Sequence, residues 1–338
     1  MSDLPGMHAL TLIQLSSPWL GRALYVAAKL GIADLLAKGP LPVAELAKRV
    51  KVDADPLYRT LRALTASGIF SEPTLGVFEL NPAAEPLQSN LPHSVRSIVM
   101  MFGEPWHWSA WGKYLEAMYS GSIAFKEAHK SDLFPYLDQD REARTIFDNA
   151  MAEFSALGHI KVARAYDFGR VSKIVDVGGG VGRLLISILG EHAGPSGVLF
   201  DLPGVPEAGR PLLQKAGLEQ RVTLVDGSFF DTVPTGGDLY LTTVIHNWPD
   251  DRAVDLLKTV RQAMTPAAKL LMVEQVVAAP NKKSPAKWLD LEMLALVGGR
   301  ERTEEEHADL LKRGGLRLLR VIPTGSAVSL LEAEVVAS

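Results

Sequence analysis

An apolar segment that ends at a cluster of glycines, followed by a second apolar segment, limits the folds open to this chain. The first segment covers residues 173–177, the glycine-rich turn residues 178–182, and the second segment residues 184–189. A short apolar run that stops at glycines predicts a buried strand of a parallel sheet, and the run after the turn predicts a helix. Glycines allow a ligand to approach the backbone closely, and a helix N-terminus offers unpaired N–H groups. The sequence therefore predicts an α/β fold with a ligand at this turn.

The glycine spacing indicates which ligand the turn holds. A dinucleotide fingerprint has the spacing G-x-G-x-x-G, and its third place would fall on Arg183 here. The residues that alternate along this turn are Asp176, Gly178, Gly180 and Gly182. The next predicted strand, residues 197–200, ends at Asp201, where an acid can accept hydrogen bonds from both hydroxyls of a ribose. Together these features resemble the nucleoside site of class I S-adenosylmethionine (SAM) methyltransferases. The alternative is a glycine turn with no ligand.

Composition excludes several classes of protein. A chain of 338 residues, 47% of them hydrophobic, is long enough for two domains. A net charge of −4 argues against a nucleic-acid partner bound by bulk charge. The absence of cysteine excludes disulfides, thiolate catalysis and zinc–cysteine sites. Without a signal-peptide pattern or an apolar run of about 18 residues, we expect a cytoplasmic protein with no membrane partner.

The first part of the chain, residues 1–92, has the pattern of a winged helix. A short helix at residues 42–50, a turn, a second helix that begins at Asp55 and a hairpin at residues 69–80 follow one another. Arg59 and Arg62 on the second helix would suit DNA, but acidic residues are interleaved with the basic ones. We therefore favour a dimerisation or substrate-lid role. The apolar helices predicted within residues 7–37 indicate a homodimer.

Helices dominate residues 93–170, and strands alternate with helices over residues 171–338. Trp108 and Trp111 share a helix face in the first of these segments, where they either line an aromatic pocket or pack in the core. The alternation after residue 171 predicts a doubly wound sheet. Further strands are expected at residues 221–225, 239–245, 269–273, 316–322 and 327–335, and helices near 206–217, before 264, and at 287–296 and 303–313. Polar side chains at the carboxyl ends of these strands, where such sheets bind ligands, are Asp176, Asp201, Ser228, His246 and Glu274.

His246 and Glu274 follow two consecutive predicted strands. Adjacent strand ends would bring the two side chains within hydrogen-bond range, so that Glu274 fixes the imidazole tautomer. A histidine whose pKa is near neutrality suits removal of a proton from a phenol. This pair is the predicted catalytic centre, whereas a lone histidine would more often be structural.

Four motifs make the resemblance specific, and they recur in order across nearly the whole chain. They are residues 176–182 (DVGGGVG), 200–203 (FDLP), 244–251 (VIHNWPDD) and 298–303 (GGRERT). They are similar to those of SAM-dependent O-methyltransferases of the caffeate, hydroxyindole and bacterial polyketide-tailoring type. The resemblance implies a class I methyltransferase domain with a Rossmann-like doubly wound sheet behind a winged-helix dimerisation domain. It also implies metal-free methylation of a hydroxyl on a small, usually aromatic, molecule.

The resemblance also assigns roles to single residues. His246 corresponds to the general base, with Glu274 and Glu301 as the acids that bracket it. The residues expected to bind SAM are Asp176, Gly178, Gly180, Asp201, Leu202, Ser228, Phe229 and Ser155, with Asp201 on the ribose and Ser155 near the methionine end. The residues expected to contact the acceptor are Phe147, Met151, Trp108, Asn247 and Met293.

Three residues depart from the family pattern and leave the acceptor open. Ser228 stands where an aspartate commonly meets the adenine, Thr242 replaces a lysine seen in plant members, and Asn247 replaces the aspartate after the histidine. Two alternatives follow. One is a SAM-binding relative with other chemistry, such as N- or C-methylation, hydroxylation or decarboxylation. The other is a winged-helix regulator with a ligand-sensing domain, which would need a basic surface that the charge pattern does not show.

Overall fold

The computed structural model describes residues 5–336, and the side chains from residue 8 onward. The helices are α1 (Pro5–Ser16), α2 (Trp19–Lys29), α3 (Ile32–Leu36), α4 (Val43–Val50), α5 (Ala54–Thr65), α6 (Arg96–Gly103), α7 (Pro105–Gly112), α8 (Tyr114–Ser120), α9 (Ala124–His129), α10 (Leu133–Gln139), α11 (Arg141–Ala156), α12 (His159–Ala165), α13 (Arg183–Glu191), α14 (Val205–Ala208), α15 (Arg210–Ala216), α16 (Asp250–Ala263), α17 (Ala286–Leu296) and α18 (Glu304–Arg313). The strands are β1 (Leu41–Pro42), β2 (Ser71–Thr74), β3 (Val77–Glu79), β4 (Lys173–Val177), β5 (Ser196–Asp201), β6 (Val222–Asp226), β7 (Leu239–Thr242), β8 (Lys269–Glu274), β9 (Leu316–Pro323) and β10 (Ser329–Val335). Single turns of 3₁₀ helix lie at Glu85–Leu87, Phe168–Arg170, Glu219–Arg221 and Ile245–Asn247.

The first compact unit comprises the described residues up to Ser109 together with Leu137–Phe154. Within it, α4 ends at Val50, and the next residue, Lys51, turns the chain with a positive φ of 57°. Asp53 caps α5 by accepting a hydrogen bond from the Asp55 N–H. The β2–β3 hairpin follows, and β1 pairs with β3 to give a three-stranded antiparallel sheet. Apolar residues of α2 to α5 and of the hairpin form the core of this unit. The winged-helix prediction is confirmed.

The second unit comprises Ala110–Tyr136 and the described residues from Ser155 onward. Its seven-stranded sheet has the order β6-β5-β4-β7-β8-β10-β9. All neighbours are parallel except that β10 runs antiparallel to both β8 and β9. The chain winds outward from β4 to β6 and returns beside β4 with β7. The switch point between these halves is therefore at β4 and β7, where sheets of this kind bind their ligands.

The side chains of β4 show why the apolar runs in the sequence lack alternation. Val175 and Val177 pack into the core on one face of the sheet, and Ile174 packs into the core on the other. A strand covered on both faces needs apolar residues at successive positions. The prediction of a doubly wound sheet is confirmed.

Two predicted elements were wrong in their extent. The strand predicted at residues 239–245 ends at Thr242, because tertiary hydrogen bonds hold Ile245–Asn247 in a 3₁₀ turn. The helix predicted near residues 206–217 is two helices, α14 and α15, that meet at Gly209. A side chain at Gly209 would lie 2.5 Å from the Val181 carbonyl oxygen, so the chain approaches the glycine-rich turn there.

No helix among residues 5–336 is both long enough and apolar enough to cross a membrane.

Candidate active site

His246 and Glu274 form a direct hydrogen-bonded pair. His246 lies on the 3₁₀ turn after β7, and Glu274 is the last residue of the neighbouring strand β8. The His246 Nδ1 atom is 2.7 Å from Glu274 Oε2, and the Ile245 N–H donates to Glu274 Oε1 at 3.1 Å. Because an ionised carboxylate only accepts, His246 Nδ1 carries the proton and Nε2 is left for an acceptor molecule. The expected meeting of these two side chains is therefore observed.

Electrostatics make His246 a stronger base than a free imidazole. Burial alone would lower the pKa of His246, but the Glu274 carboxylate outweighs burial and raises the pKa to about 9. Glu301 raises it further, and Arg302 opposes this. The imidazole keeps 26% of its side-chain surface exposed, whereas the Glu274 side chain is fully buried. The pair thus has one open side, at the imidazole.

The loop at residues 298–303 fixes the turn that carries His246. The Arg300 N–H donates to the His246 carbonyl oxygen at 2.7 Å. A Cβ on Gly299 would lie 2.1 Å from that same oxygen, so only glycine permits this approach. The loop is tied to the end of β8 in turn, since Val276 and Arg302 form a parallel bridge. The motif at residues 298–303 therefore positions the motif at residues 244–251.

The buried Arg302 side chain forms an ion pair with the partly exposed Asp250, which the sequence did not predict. The Arg302 side chain is 1% exposed, and its Nε and Nη2 atoms donate to Asp250 Oδ1 at 3.0 and 2.8 Å. Three further hydrogen bonds run from the guanidinium to the carbonyl oxygens of Trp248, Arg300 and Ile245, at 2.9, 3.0 and 3.5 Å. Burial would raise the pKa of Asp250, but the guanidinium outweighs it and holds the pKa below its usual range. The only sequence signal was that both residues belong to the family motifs.

The glycine-rich turn has the backbone that its sequence predicts. Gly178, Gly180 and Gly182 all have positive φ, at 72°, 58° and 79°. A Cβ on Gly178 would lie 3.0 Å from the Val244 methyl groups and 3.3 Å from the Phe229 ring. Asp201 braces the turn, because its Oδ2 accepts from the Gly180 N–H at 2.8 Å and its Oδ1 from the Leu202 N–H at 2.7 Å. Asp201 and Gly180 are thus brought together at the end of β5.

Asp176 is enclosed beneath this turn. Its side chain is 1% exposed, and its Oδ2 has no hydrogen-bond partner in the described part of the chain. Burial, and then the Asp201 carboxylate, raise the pKa of Asp176 to about 7. The unpaired Asp176 oxygen thus lies beside a glycine backbone that leaves room for a ligand. Both features fit a polar ligand such as the nucleoside cofactor that the resemblance implies.

Phe229, Phe230 and Trp248 form an aromatic cluster beside the glycine-rich turn. The Phe229 and Phe230 ring centroids are 4.8 Å apart, and the Trp248 ring is 4.8 Å from Phe230 and 6.1 Å from Phe229. The Arg252 guanidinium lies 3.7 Å from the Phe230 centroid. Only Phe229 was predicted as a site residue. Phe230 directly follows the predicted site residue Phe229, and Trp248 belongs to the motif at residues 244–251. These positions are the sequence signal that could have indicated them.

The other predicted site residues are distributed over both units. In the second unit, Leu202 is 54% exposed, and Ser155, Ser228, Asn247 and Met293 are half-buried. Ser228 Oγ accepts from the Phe230 N–H at 3.2 Å, so it shapes the loop after β6. In the first unit, Phe147 and Met151 are half-buried on α11, and Trp108 is 44% exposed with the Arg22 guanidinium 5.2 Å from its ring. The assignment of these residues to cofactor or acceptor stays a prediction.

Comparison with known proteins shows which families and solved structures this chain is similar to. An O-methyltransferase domain matches residues 111–317, and an O-methyltransferase dimerisation domain matches residues 14–90. A phenazine O-methyltransferase of Lysobacter antibioticus is 38% identical over 97% of this chain and 96% of its own length. An 8-amino-8-demethylriboflavin N,N-dimethyltransferase of Streptomyces davaonensis is 37% identical over 91% of this chain and 90% of its own length. The solved structure of an O-methyltransferase from neocarzinostatin biosynthesis, in complex with SAM and 2-hydroxy-5-methyl naphthoic acid, superposes with a TM-score of 0.83 at 30% identity and covers 96% of this chain and 98% of that one.

Proposed function

This chain belongs to the SAM-dependent O-methyltransferase family with an N-terminal dimerisation domain, and we propose that it methylates a hydroxyl of a small aromatic or polyketide-like metabolite with His246 as general base. The observation that carries the proposal is the 2.7 Å pair of His246 Nδ1 and Glu274 Oε2. It leaves Nε2 on the open side of the imidazole, in the tautomer that accepts a proton. The naphthoic acid bound by the neocarzinostatin enzyme supports an aromatic acceptor.

SAM, when bound, supplies a methyl group on a positively charged sulfur, which a hydroxyl oxygen can attack once its proton is removed. The residues that would hold SAM are those around the glycine-rich turn: Asp176, Gly178, Gly180, Asp201, Leu202, Ser228, Phe229 and Ser155. Phe147, Met151, Trp108, Asn247 and Met293 are proposed to contact the acceptor. The protein contributes alignment of the two reactants and a positioned base.

In the proposed step, His246 Nε2 takes the hydroxyl proton as the oxygen attacks. The imidazolium that forms is stabilised by Glu274, which already accepts the Nδ1–H and has a second donor in the Ile245 N–H. Glu274 therefore fixes the tautomer and supports the charge without moving. Such a positioned base contributes about 10²- to 10⁴-fold in rate.

The chemistry of the acceptor atom is tested by a matched pair of compounds. We expect purified protein with methyl-labelled SAM to transfer label to the oxygen of 1-hydroxy-2-naphthoic acid in preference to the nitrogen of 1-amino-2-naphthoic acid. The position of the label is read by carbon-13 NMR of the product. Label only on nitrogen or on a ring carbon would contradict the proposal and favour N- or C-methylation. Conversion of the hydroxy acid to a product that carries no label would also contradict it and would favour hydroxylation or decarboxylation.

We also propose that the chain acts as a homodimer through its N-terminal helices. Apolar side chains on α1 and α2 are open to solvent in the single chain: Leu10, Leu12, Ile13, Leu15, Trp19 and Leu20 are 47–78% exposed. We expect light scattering to give twice the 36.6 kDa chain mass. The double variant Leu12→Glu with Leu15→Glu should give the single-chain mass, while Leu75→Glu, at an 85% exposed position of the hairpin, should not. A double variant that stays dimeric would contradict this interface.

A further inference from the structure

The two carboxyl groups beside His246 differ in their hydrogen bonds. Each oxygen of Glu274 accepts one, from the His246 imidazole and from the Ile245 N–H. The Glu301 side chain is 3% exposed and makes no hydrogen bond within residues 5–336, and its Oε2 is fully enclosed. An ionised carboxylate is strongly disfavoured in such a place, because nothing replaces the water that it loses. Glu274 is thus suited to carry a charge, and Glu301 is suited to be neutral.

The charged groups around Glu301 agree with this difference. Burial is the largest influence and raises its pKa, and the His246 imidazolium next lowers it. Glu274 from β8 and Asp290 from α17 raise the pKa, and Arg302 of the same loop lowers it, with a net value of about 8. At neutral pH the carboxyl group is therefore protonated and carries an O–H donor.

The position of Glu301 is set by its backbone. The Glu301 N–H donates to Asp290 Oδ1 at 2.9 Å, while the neighbouring Arg300 N–H donates to the His246 carbonyl oxygen. The carboxyl group is thus held next to the turn that carries His246. No described protein atom accepts a hydrogen bond from it, so its proton has no acceptor within residues 5–336.

We propose that the protonated Glu301 carboxyl donates a hydrogen bond to a second oxygen of the acceptor, beside the hydroxyl that His246 deprotonates. The acceptor class is then an aromatic hydroxyl flanked by a carbonyl, quinone or carboxyl oxygen. This inference rests on the proposed function for its reacting hydroxyl. It gives Glu301 a role different from that of Glu274, which orients the imidazole and stabilises its positive charge.

Binding of two methylated probes tests the proposal without turnover. The probes are 1-methoxynaphthalene and 2-acetyl-1-methoxynaphthalene, which differ by the neighbouring carbonyl and contain no group that titrates. We expect the S-adenosylhomocysteine complex to bind the acetyl probe about three- to tenfold more tightly at pH 7, the usual worth of one hydrogen bond. This preference should disappear in Glu301→Ala and persist in Glu301→Gln, whose amide still donates. Glu305→Gln, at an exposed acid four residues along the chain, is the control and should keep the wild-type preference.

The pH dependence separates a donor from a merely structural residue. In wild type the preference should fall as pH rises through about 8, because the ionised Glu301 no longer donates. In Glu301→Gln it should stay constant over the same range, since the amide does not titrate. Absence of a preference in wild type, a preference that survives in Glu301→Ala, or the same pH dependence in wild type and Glu301→Gln would overturn the proposal. Failure of the proposed function appears separately, as label on an atom other than oxygen in the methylation assay.

Discussion

Replacing His246 with alanine is expected to lower kcat about 10²- to 10⁴-fold while leaving the affinity for SAM nearly unchanged. The imidazole is the group left with a free nitrogen at the open side of the site, and the glycine-rich turn is built by other residues. The loss therefore falls on proton removal and not on cofactor binding. Steady-state kinetics with one hydroxyl acceptor and calorimetric titration of SAM measure the two quantities.

His246→Gln and His93→Ala are the matched variants for this experiment. The glutamine amide can still donate to Glu274, so the buried carboxylate keeps two donors while the base is lost. His93 is exposed and lies in the first unit, so its replacement controls for loss of a histidine as such. Wild-type turnover in His246→Gln would show that alignment of the reactants alone carries the rate, as for an acceptor that binds already ionised.

Replacing Asp201 with alanine is expected to weaken SAM binding by as much as 10²- to 10⁴-fold. Two hydrogen bonds from ribose hydroxyls to a carboxylate contribute about 1.5–3 kcal/mol each, and each 1.4 kcal/mol is a factor of ten in affinity. The structure adds a second cause, because the same carboxylate accepts the Gly180 N–H and the Leu202 N–H and so braces the turn. Calorimetric titration with SAM and with S-adenosylhomocysteine measures the change.

Asp201→Asn and Asp167→Asn complete this comparison. The amide oxygen keeps one acceptor without the charge, so Asp201→Asn should fall between wild type and alanine. Asp167 is exposed and pairs with Arg170, away from the glycine-rich turn in sequence, so its asparagine variant should bind SAM as wild type does. Equal affinity of wild type and Asp201→Ala would mean that the glycine-rich turn holds a different ligand.

The sequence predicted those parts of the site that depend on strand order. A buried apolar run before glycines gave β4 and its turn, and two consecutive strands placed His246 beside Glu274. The 3₁₀ turn after β7 could not be predicted in this way, because Val244 and Ile245 continue an apolar, β-branched pattern. The turn is imposed by Glu274 and Arg300, which lie 29 and 55 residues further along the chain than Ile245.

The burial of single charged residues was the second feature that the sequence could not predict. Arginine and aspartate usually lie at a solvated surface, and only the folded chain shows that the Arg302 guanidinium is enclosed with four acceptor atoms around it. The difference between Glu274 and Glu301 was hidden for the same reason, since the sequence offers two glutamates that were both predicted to bracket His246. The boundaries 1–92, 93–170 and 171–338 stay predictions, as do the individual site roles.

The pH dependence of kcat/KM for wild type and Glu274→Gln, with one hydroxyl acceptor at saturating SAM, tests the central claim most directly. If His246 is the base, wild-type kcat/KM should rise with pH through an apparent pKa above histidine's ordinary value of about 6.5 and toward 9, because only the neutral imidazole accepts a proton. Glu274→Gln removes the carboxylate that raises this pKa and leaves the burial that lowers it, so the midpoint should move to lower pH by about one to three units. A midpoint that does not move, or the same profile in His246→Gln, would contradict the assignment of His246 as the general base.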